Sequence, residues 1–385
     1  MEGNMSGIMA KIEQETNGKS FKTFKYSFES VNMPSFDYDD HSDITWERIG
    51  ETVAHKKQVD LLAKSNQIIG QNPCFTYFLD GSRRAFKVDD ISYRNQVYPV
   101  IAGQIGIGCC TRIKKEMNPF DFERKLVIAL PKVANQDGWN KEGFFKNLLK
   151  KVNVDVRLEK ENIKFTDILS YSCKKDEAEK MENKGIAVIQ DLMVEQEKIM
   201  VAKLASQNLL NYDKYLLKDG TLEYRIIDVK NDRELQKFKN NYRWVVGASK
   251  SFNPENCKDH SGKNNSDLIA DLKLYHRTPV SMYSSPRIGN MKFAVWYVRI
   301  RDKVYTNNTF DGILKLEKII VTDEQIDNGI DSEEIDWITA NIINERNPVC
   351  YGDDFRWANH LYPIYITEKY VKSKYLSNTM FLNLF

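Results

Sequence analysis

Apolar and polar positions along the chain fall into two strand-rich stretches separated by a helical one. Residues 74–79 (CFTYFL) form a short aromatic run, Asp80-Gly81-Ser82 follows at once, and residues 85–91 alternate as a second strand should. Strand, Asp-Gly and strand predict a hairpin. Residues 97–110 (VYPVIAGQIGIGCC) predict a third strand bent at its glycines, and 125–130 (KLVIAL) a fourth. Helical periodicity then dominates to residue 210, clearest over 143–152 and 187–210. The second half restarts the strand pattern at 215–217, 222–227, 243–248 (RWVVGA), 292–300 (KFAVWYVRI) and 312–320 (GILKLEKII). Helices are expected at 333–345 and 367–376, and an earlier one at 51–66, closed by Gly70 and Pro73. Residues 1–45 are polar, with an acidic patch at Asp37, Asp39, Asp40 and Asp43. They read as a flexible or loosely attached arm with a short helix near 8–12.

This succession predicts an α/β fold with a mixed central sheet flanked by helices. The domain plan is the arm at 1–45, then one domain over 46–385 with a helical insertion around 131–210. No repeat of fixed period and no low-complexity tract interrupts it.

Composition narrows the class. With 42% hydrophobic and 29% charged residues the chain has the profile of a soluble globular protein. A formal charge of +2 over 385 residues means that any nucleic-acid surface must be a local patch. No apolar run approaches the roughly 18 residues that span a bilayer. The start, MEGNMSGIMAKIEQE, lacks the marks of a signal peptide. Cys74, Cys109, Cys110, Cys173, Cys257 and Cys350 form no CxxC pair, which argues against a zinc site or a disulfide framework. A reduced, cytoplasmic setting is expected.

Two motifs carry the chemistry. FLDGS (residues 78–82) and LLKDGTL (216–222) each set an aspartate after an apolar strand, with glycine next. A carboxylate so placed has a fixed direction, and the glycine lets a ligand come close to the backbone. Two such aspartates from neighbouring strands could share a hard divalent cation. Asp-Gly is equally the commonest hairpin turn, so the residues alone leave both readings open.

The order FLDGS, a glutamate-bearing helix, LLKDGTL, VVGASK, FAVWYVRI, DGILKLE and LYPIYITEKYVKS resembles the NurA nuclease family over residues 70–376. The resemblance implies an RNase H-like domain related to the Argonaute PIWI nuclease domain, and a DNA nuclease using Mn²⁺ or Mg²⁺. It further implies a homodimer working with a HerA-type hexameric ATPase in DNA-end repair or anti-phage defence; no membrane partner is expected, since no apolar run is long enough to span a bilayer. Asp80 and Asp219 match the two aspartates. The family's helical glutamate falls on Glu195 or Glu197, and Glu197, at the edge of the apolar face, fits better. Lys250 matches the lysine closing the segment after the second aspartate and would face the scissile phosphate. Tyr362-Pro363 matches the start of the C-terminal motif, but the histidine expected on the following helix is absent. Glu368 stands near that position as a candidate fourth metal ligand, while His360 precedes the motif. Arg83, Arg84, Arg299 and Arg301, with Lys250, are candidate DNA contacts. Trp296 and Tyr297 could stack on bases, although on a strand such aromatics are more often core.

Two rivals remain. An actin- or hexokinase-like phosphotransferase also uses Asp-Gly turns, but its phosphate loops have only GQIGIG (103–108) as counterpart, with no helix after it. A NurA-like subunit without catalysis, tethering DNA or the ATPase, would explain the missing histidine.

Overall fold

A computed structural model of the chain describes residues 7–20, 25–27, 45–137, 141–173, 180–222, 232–285, 291–306, 308–348 and 355–385. Helix α1 (Ile8–Thr16) precedes the short strands β1 (Lys19–Ser20), β2 (Tyr26–Ser27), β3 (Thr45–Ile49) and β4 (Val59–Asp60) and the helix α2 (Leu62–Gln67). Three long strands follow as an antiparallel meander: β5 (Phe75–Tyr93), β6 (Gln96–Ile113) and β7 (Glu116–Pro131). Helices α3 (Lys141–Val152) and α4 (Val156–Lys160) lead to β8 (Asp167–Tyr171), parallel to β7, and then to the long α5 (Met181–Ser206). Next come β9 (Tyr215–Asp219), α6 (Asp232–Asn241), β10 (Val245–Ser249), α7 (Ser266–Ala270), β11 (His276–Arg277) and β12 (Ser281–Ser285). The chain ends through β13 (Met291–Arg299), β14 (Ile313–Ile319), α8 (Asp323–Asn328), α9 (Ser332–Asn344), α10 (Tyr362–Ser373) and α11 (Asn378–Leu382).

One large mixed sheet runs β3-β12-β13-β14-β10-β9-β5-β6-β7-β8. Its centre is parallel: β9 lies between β5 and β10 and runs with both. Parallel neighbours need crossovers, and α6 makes the one between β9 and β10.

Residues paired across strands share a face, so the core shows which helix covers which side. Ile101, Ile105 and Ile107 of β6 cluster with Ile186, Ile189 and Met193 of α5. The alternate positions, Gly106 and Gly108, meet Val371 and Tyr375 on and beside α10, and a Cβ on Gly108 would run into Val371. Helices α5 and α10 therefore sandwich the same strands. Ile364 and Val371 of α10 are fully buried, each contributing about 1.5–3 kcal/mol, so this helix is firmly seated. Of the GQIGIG glycines, Gly106 and Gly108 make room for α10 and Gly103 for Ile189 of α5.

Several expectations are corrected. FLDGS is not a hairpin turn: Asp80 and Gly81 pair with Gly108 and Ile107 in the middle of the 19-residue β5. Residues 51–66 hold no long helix but β4 and the start of α2. The region 131–210 is not a purely helical insertion, since β8 extends the sheet. Residues 7–20 are not a loose arm; Ile8 and Ile12 are buried and β1 pairs with β5. The acidic patch, His41, Cys350 and most of the strand expected at 222–227 lie outside the described residues. The expected 367–376 helix begins earlier, at Tyr362, with Pro363 in its first turn, where a missing N–H costs nothing. The C-terminal MFLNLF run packs on its own core through Phe381 and Leu384. No helix among the described residues is long and apolar enough to cross a membrane.

Candidate active site

Asp219 closes β9, and Gly220 follows with φ +82°, a left-handed turn open to glycine. The turn is fixed as the Gly220 N–H donates to the Ala248 carbonyl at 2.9 Å. Asp219 pairs with Ala248, so its carboxylate lies on the same sheet face as Lys250, two residues further on. Lys250 Nζ donates to Asp219 Oδ2 at 2.9 Å and reaches Glu368 Oε2 at 3.5 Å. Pairing between β5 and β9 ends at Leu79 and Lys218, so Asp80 stands where β9 turns away. Its partner across the sheet is Gly108, which faces α10, and Asp80 therefore faces α10 too. Asp80, Asp219, Lys250 and Glu368 thus meet on the α10 face.

The electrostatics are those of crowded carboxylates. Asp80 is almost fully buried, and its Oδ2 has no hydrogen-bond partner. Burial first, then the nearby Asp219 carboxylate, push its carboxyl well above the usual carboxylate range, with Lys250 pulling the other way. Burial would also raise Glu368. Lys250, Lys372 at 2.7 Å and His360 outweigh it and hold Glu368 down at about 2. For Lys250, burial opposes the charge, but Asp219, Glu368 and Asp80 overcome it and raise the ammonium above its ordinary value.

Glu197 approaches from α5, on the other face of the sheet, where Lys218 holds its Oε2 at 3.0 Å and the Gly81 N–H donates to it. Its carboxyl is raised, by burial first, and its charge still acts on Asp80 and Asp219. A Cβ on residue 81 would meet this carboxylate, so the glycine here serves a close approach rather than a turn. Glu195 is exposed and pairs with Lys198 at 3.3 Å.

The arginines divide. Arg299 is corrected: it is 1% exposed and its guanidinium donates to the carbonyls of Ala270, Leu272, Thr309 and Asp311, tying loops together inside the fold. Arg83 points to the α5 side and donates to Gln190, while Arg84 points to the α10 side and stacks over Tyr375. Arg301 lies over Trp357. Trp296 and Tyr297 are core residues; the Trp296 indole donates to Thr339 at 2.9 Å.

Sequence reasoning missed two supports. Asn359 accepts from the Gly312 N–H and donates to the Lys250 carbonyl, each at 2.5 Å, fixing the backbone that carries the ammonium. His360 lies close enough to Glu368 to help hold it ionised, despite preceding the motif. A long reach from a loop leaves no periodic signal.

The donor set suits a hard divalent cation, because it is all oxygen and includes a buried carboxylate oxygen lacking any partner. As they stand, however, no three His, Cys, Asp or Glu side chains among the described residues are grouped to hold an ion, and Lys250 bridges Asp219 and Glu368.

No protein-family model matches the chain, and no curated protein matches it. Among solved structures, the crystal structure of the NurA nuclease from Sulfolobus solfataricus is similar at a TM-score of 0.36 and 10% identity, covering 80% of this chain and 87% of that one.

Proposed function

We propose that the chain is a divalent-metal-dependent DNA nuclease. One observation carries the reading: Asp80 and Asp219, on adjacent parallel strands, and Glu368 of α10 lie on the same face of the sheet, with the Lys250 ammonium between Asp219 and Glu368. The motif order that resembles NurA supplies the substrate class. Asp80, Asp219 and Glu368 would hold Mn²⁺ or Mg²⁺. Bound there, the ion would supply an activated water and charge neutralisation at a phosphodiester. Lys250, held charged, would offset the extra negative charge on the phosphate. Arg84 and Arg301 remain the candidate backbone contacts, with Arg83 on the far face. A HerA-type ATPase partner, a homodimer and a role in DNA-end repair or defence follow from the same resemblance.

The test is cleavage of a labelled DNA fragment across Mn²⁺, Mg²⁺ and Co²⁺ by the wild type and Asp80→Asn, with and without the ATPase. Metal-dependent cleavage by the wild type that Asp80→Asn loses is expected; equal cleavage by a folded Asp80→Asn protein refutes the assignment. A second reading, a DNA- or ATPase-tethering subunit without catalysis, is favoured by the Lys250 bridge and the histidine-free α10. Binding of DNA without cleavage under every metal would establish it instead.

A further inference from the structure

The motif DGILKLE ends in a glutamate that the proposed reaction does not use. Glu317 of β14 is completely buried on the α5 side of the sheet, away from the acidic site. It accepts from the Thr221 hydroxyl at 2.7 Å and from the Leu222 N–H at 2.6 Å, and pairs with Lys315 at 2.5 Å. Burial would raise its carboxyl, but Lys315 and these hydrogen bonds outweigh it and keep it ionised. From the same side, buried Lys218 donates to the carbonyls of Asp219 at 2.8 Å and Thr221 at 3.4 Å while holding Glu197. Underneath, Gly247 leaves no room for movement, since even a Cβ there would stand 2.8 Å from Leu222 Cγ and 2.9 Å from the Gly220 carbonyl oxygen.

We propose that Glu317 and Lys218 are positioning residues that grip the main chain of residues 219–222 from behind the sheet and thereby aim Asp219 at the cation site in front. Strand alternation makes this possible: Lys218 and Asp219 are consecutive and point to opposite faces. The side chain of one residue grips the turn while the next presents its carboxylate. Two buried charges at this spot are costly unless compensated: Glu317 Oε2 and the Lys218 ammonium are bonded to the turn itself, and Lys315 offsets the charge at Glu317 Oε1. The role presupposes the cation-dependent reaction proposed above.

The test uses the full chain, with Mn²⁺ alone as probe, and three variants: Glu317→Gln, Thr221→Val and Thr221→Ser. Mn²⁺ binding is read by electron paramagnetic resonance without DNA, and cleavage is read as a function of Mn²⁺ concentration. Supports around metal ligands typically change affinity about 10–100-fold. Glu317→Gln and Thr221→Val should weaken Mn²⁺ binding about 10-fold or more, cleavage at saturating Mn²⁺ should largely return, and Thr221→Ser should bind like the wild type. A general loss of structure would instead lower the maximal rate without this split. Wild-type Mn²⁺ affinity in a folded Thr221→Val protein overturns the grip, even if Glu317→Gln fails to fold. Wild-type protein that neither binds Mn²⁺ nor cleaves DNA overturns the nuclease reading, and the grip with it.

Discussion

Replacing Asp80 by asparagine keeps its shape and removes its charge, and the consequence depends on whether a cation is present. Without one, Asp80 Oδ2 is buried and has no hydrogen-bond partner, and burial and Asp219 both oppose its ionisation. Holding an ionised carboxylate in this state, where asparagine is neutral, costs about 1–3 kcal/mol. The carboxyl of folded Asp80 lies above its unfolded value, so the wild type has its full stability below about pH 4 and loses part of it as pH rises through the folded value. The Asp80→Asn variant does not titrate there and keeps its stability. For a chain of 385 residues, the unfolding entropy is about 0.8 kcal/mol/K, so Asp80→Asn should raise the metal-free Tm by about 1–4 °C at neutral pH and by nothing at about pH 4. Mn²⁺ at a hundredfold excess over its Kd would stabilise the wild type by about 2.7 kcal/mol, or about 3 °C, and leave Asp80→Asn unmoved. Thermal melts across pH, with and without Mn²⁺, read all of this. A metal-free Asp80→Asn protein that melts below the wild type at neutral pH would refute the electrostatic account. An equal Mn²⁺ shift in both proteins would refute the assignment of Asp80 to the cation.

Lys250→Met leaves Asp219 and Glu368 without their shared ammonium; breaking such a pair costs about 3 kcal/mol, read as a Tm lower by about 4 °C. Glu368, held at about 2 chiefly by Lys250 against burial, contributes stability above its unfolded value of about 4.3, so the difference from the wild type should fade as pH falls from there towards 2; a pH-independent difference in melts counts against the bridge. Gly108→Ala drives a methyl into Val371 of α10, should cost about 1–3 kcal/mol, and should weaken Mn²⁺ binding by shifting Glu368; a melt and a titration matching the wild type would remove the helix seat. Arg299→Met strands four loop carbonyls and should destabilise the fold by more than about 3 kcal/mol while leaving the salt dependence of DNA binding by the remaining folded protein unchanged; a shallower salt slope in a filter-binding assay would return Arg299 to the DNA track.

What is legible in the sequence follows from how local each signal is. Strand β13 is a near-continuous apolar run and lies within a residue of its expected limits, because burial on both faces writes itself into consecutive positions; β14 keeps its limits as closely although Lys315, Glu317 and Lys318 stand among its apolar residues. Asp-Gly at Asp219 reads as a strand end and is one. The same dipeptide at Asp80 reads as a turn and lies inside β5, because unbroken pairing with β6 overrides the turn preference of two residues. The local signal there misleads because Asp80, Arg83 and Arg84 interrupt the apolar alternation of a strand that continues regardless. Strand order is not legible at all. That β9 inserts between β5 and β10 is set by crossovers, and it alone brings Asp80 and Asp219 to neighbouring strands.

Glu197 is the most instructive case, because its helix and its place at the edge of a buried face are legible, and only the side of the sheet is not. Helical periodicity says which residues of α5 meet the sheet, but nothing in it says which side of the sheet α5 occupies. That side is fixed by α10, whose seat on Gly106 and Gly108 claims the face bearing Asp80 and leaves the other to α5. Parity along β9 then divides the chemistry: Asp219 points forward to Lys250 and Glu368, and Lys218 points back to Glu197. A one-residue change of register in β9 would exchange the two, bringing the ammonium of Lys218 to the face of Lys250 and the carboxylate of Asp219 to that of Glu197. On the α5 face Glu197 would then lose its ammonium partner and meet a second carboxylate instead. The consecutive Lys218-Asp219 pair therefore penalises slippage of β9 as well as building the site, and the two roles rest on the same alternation.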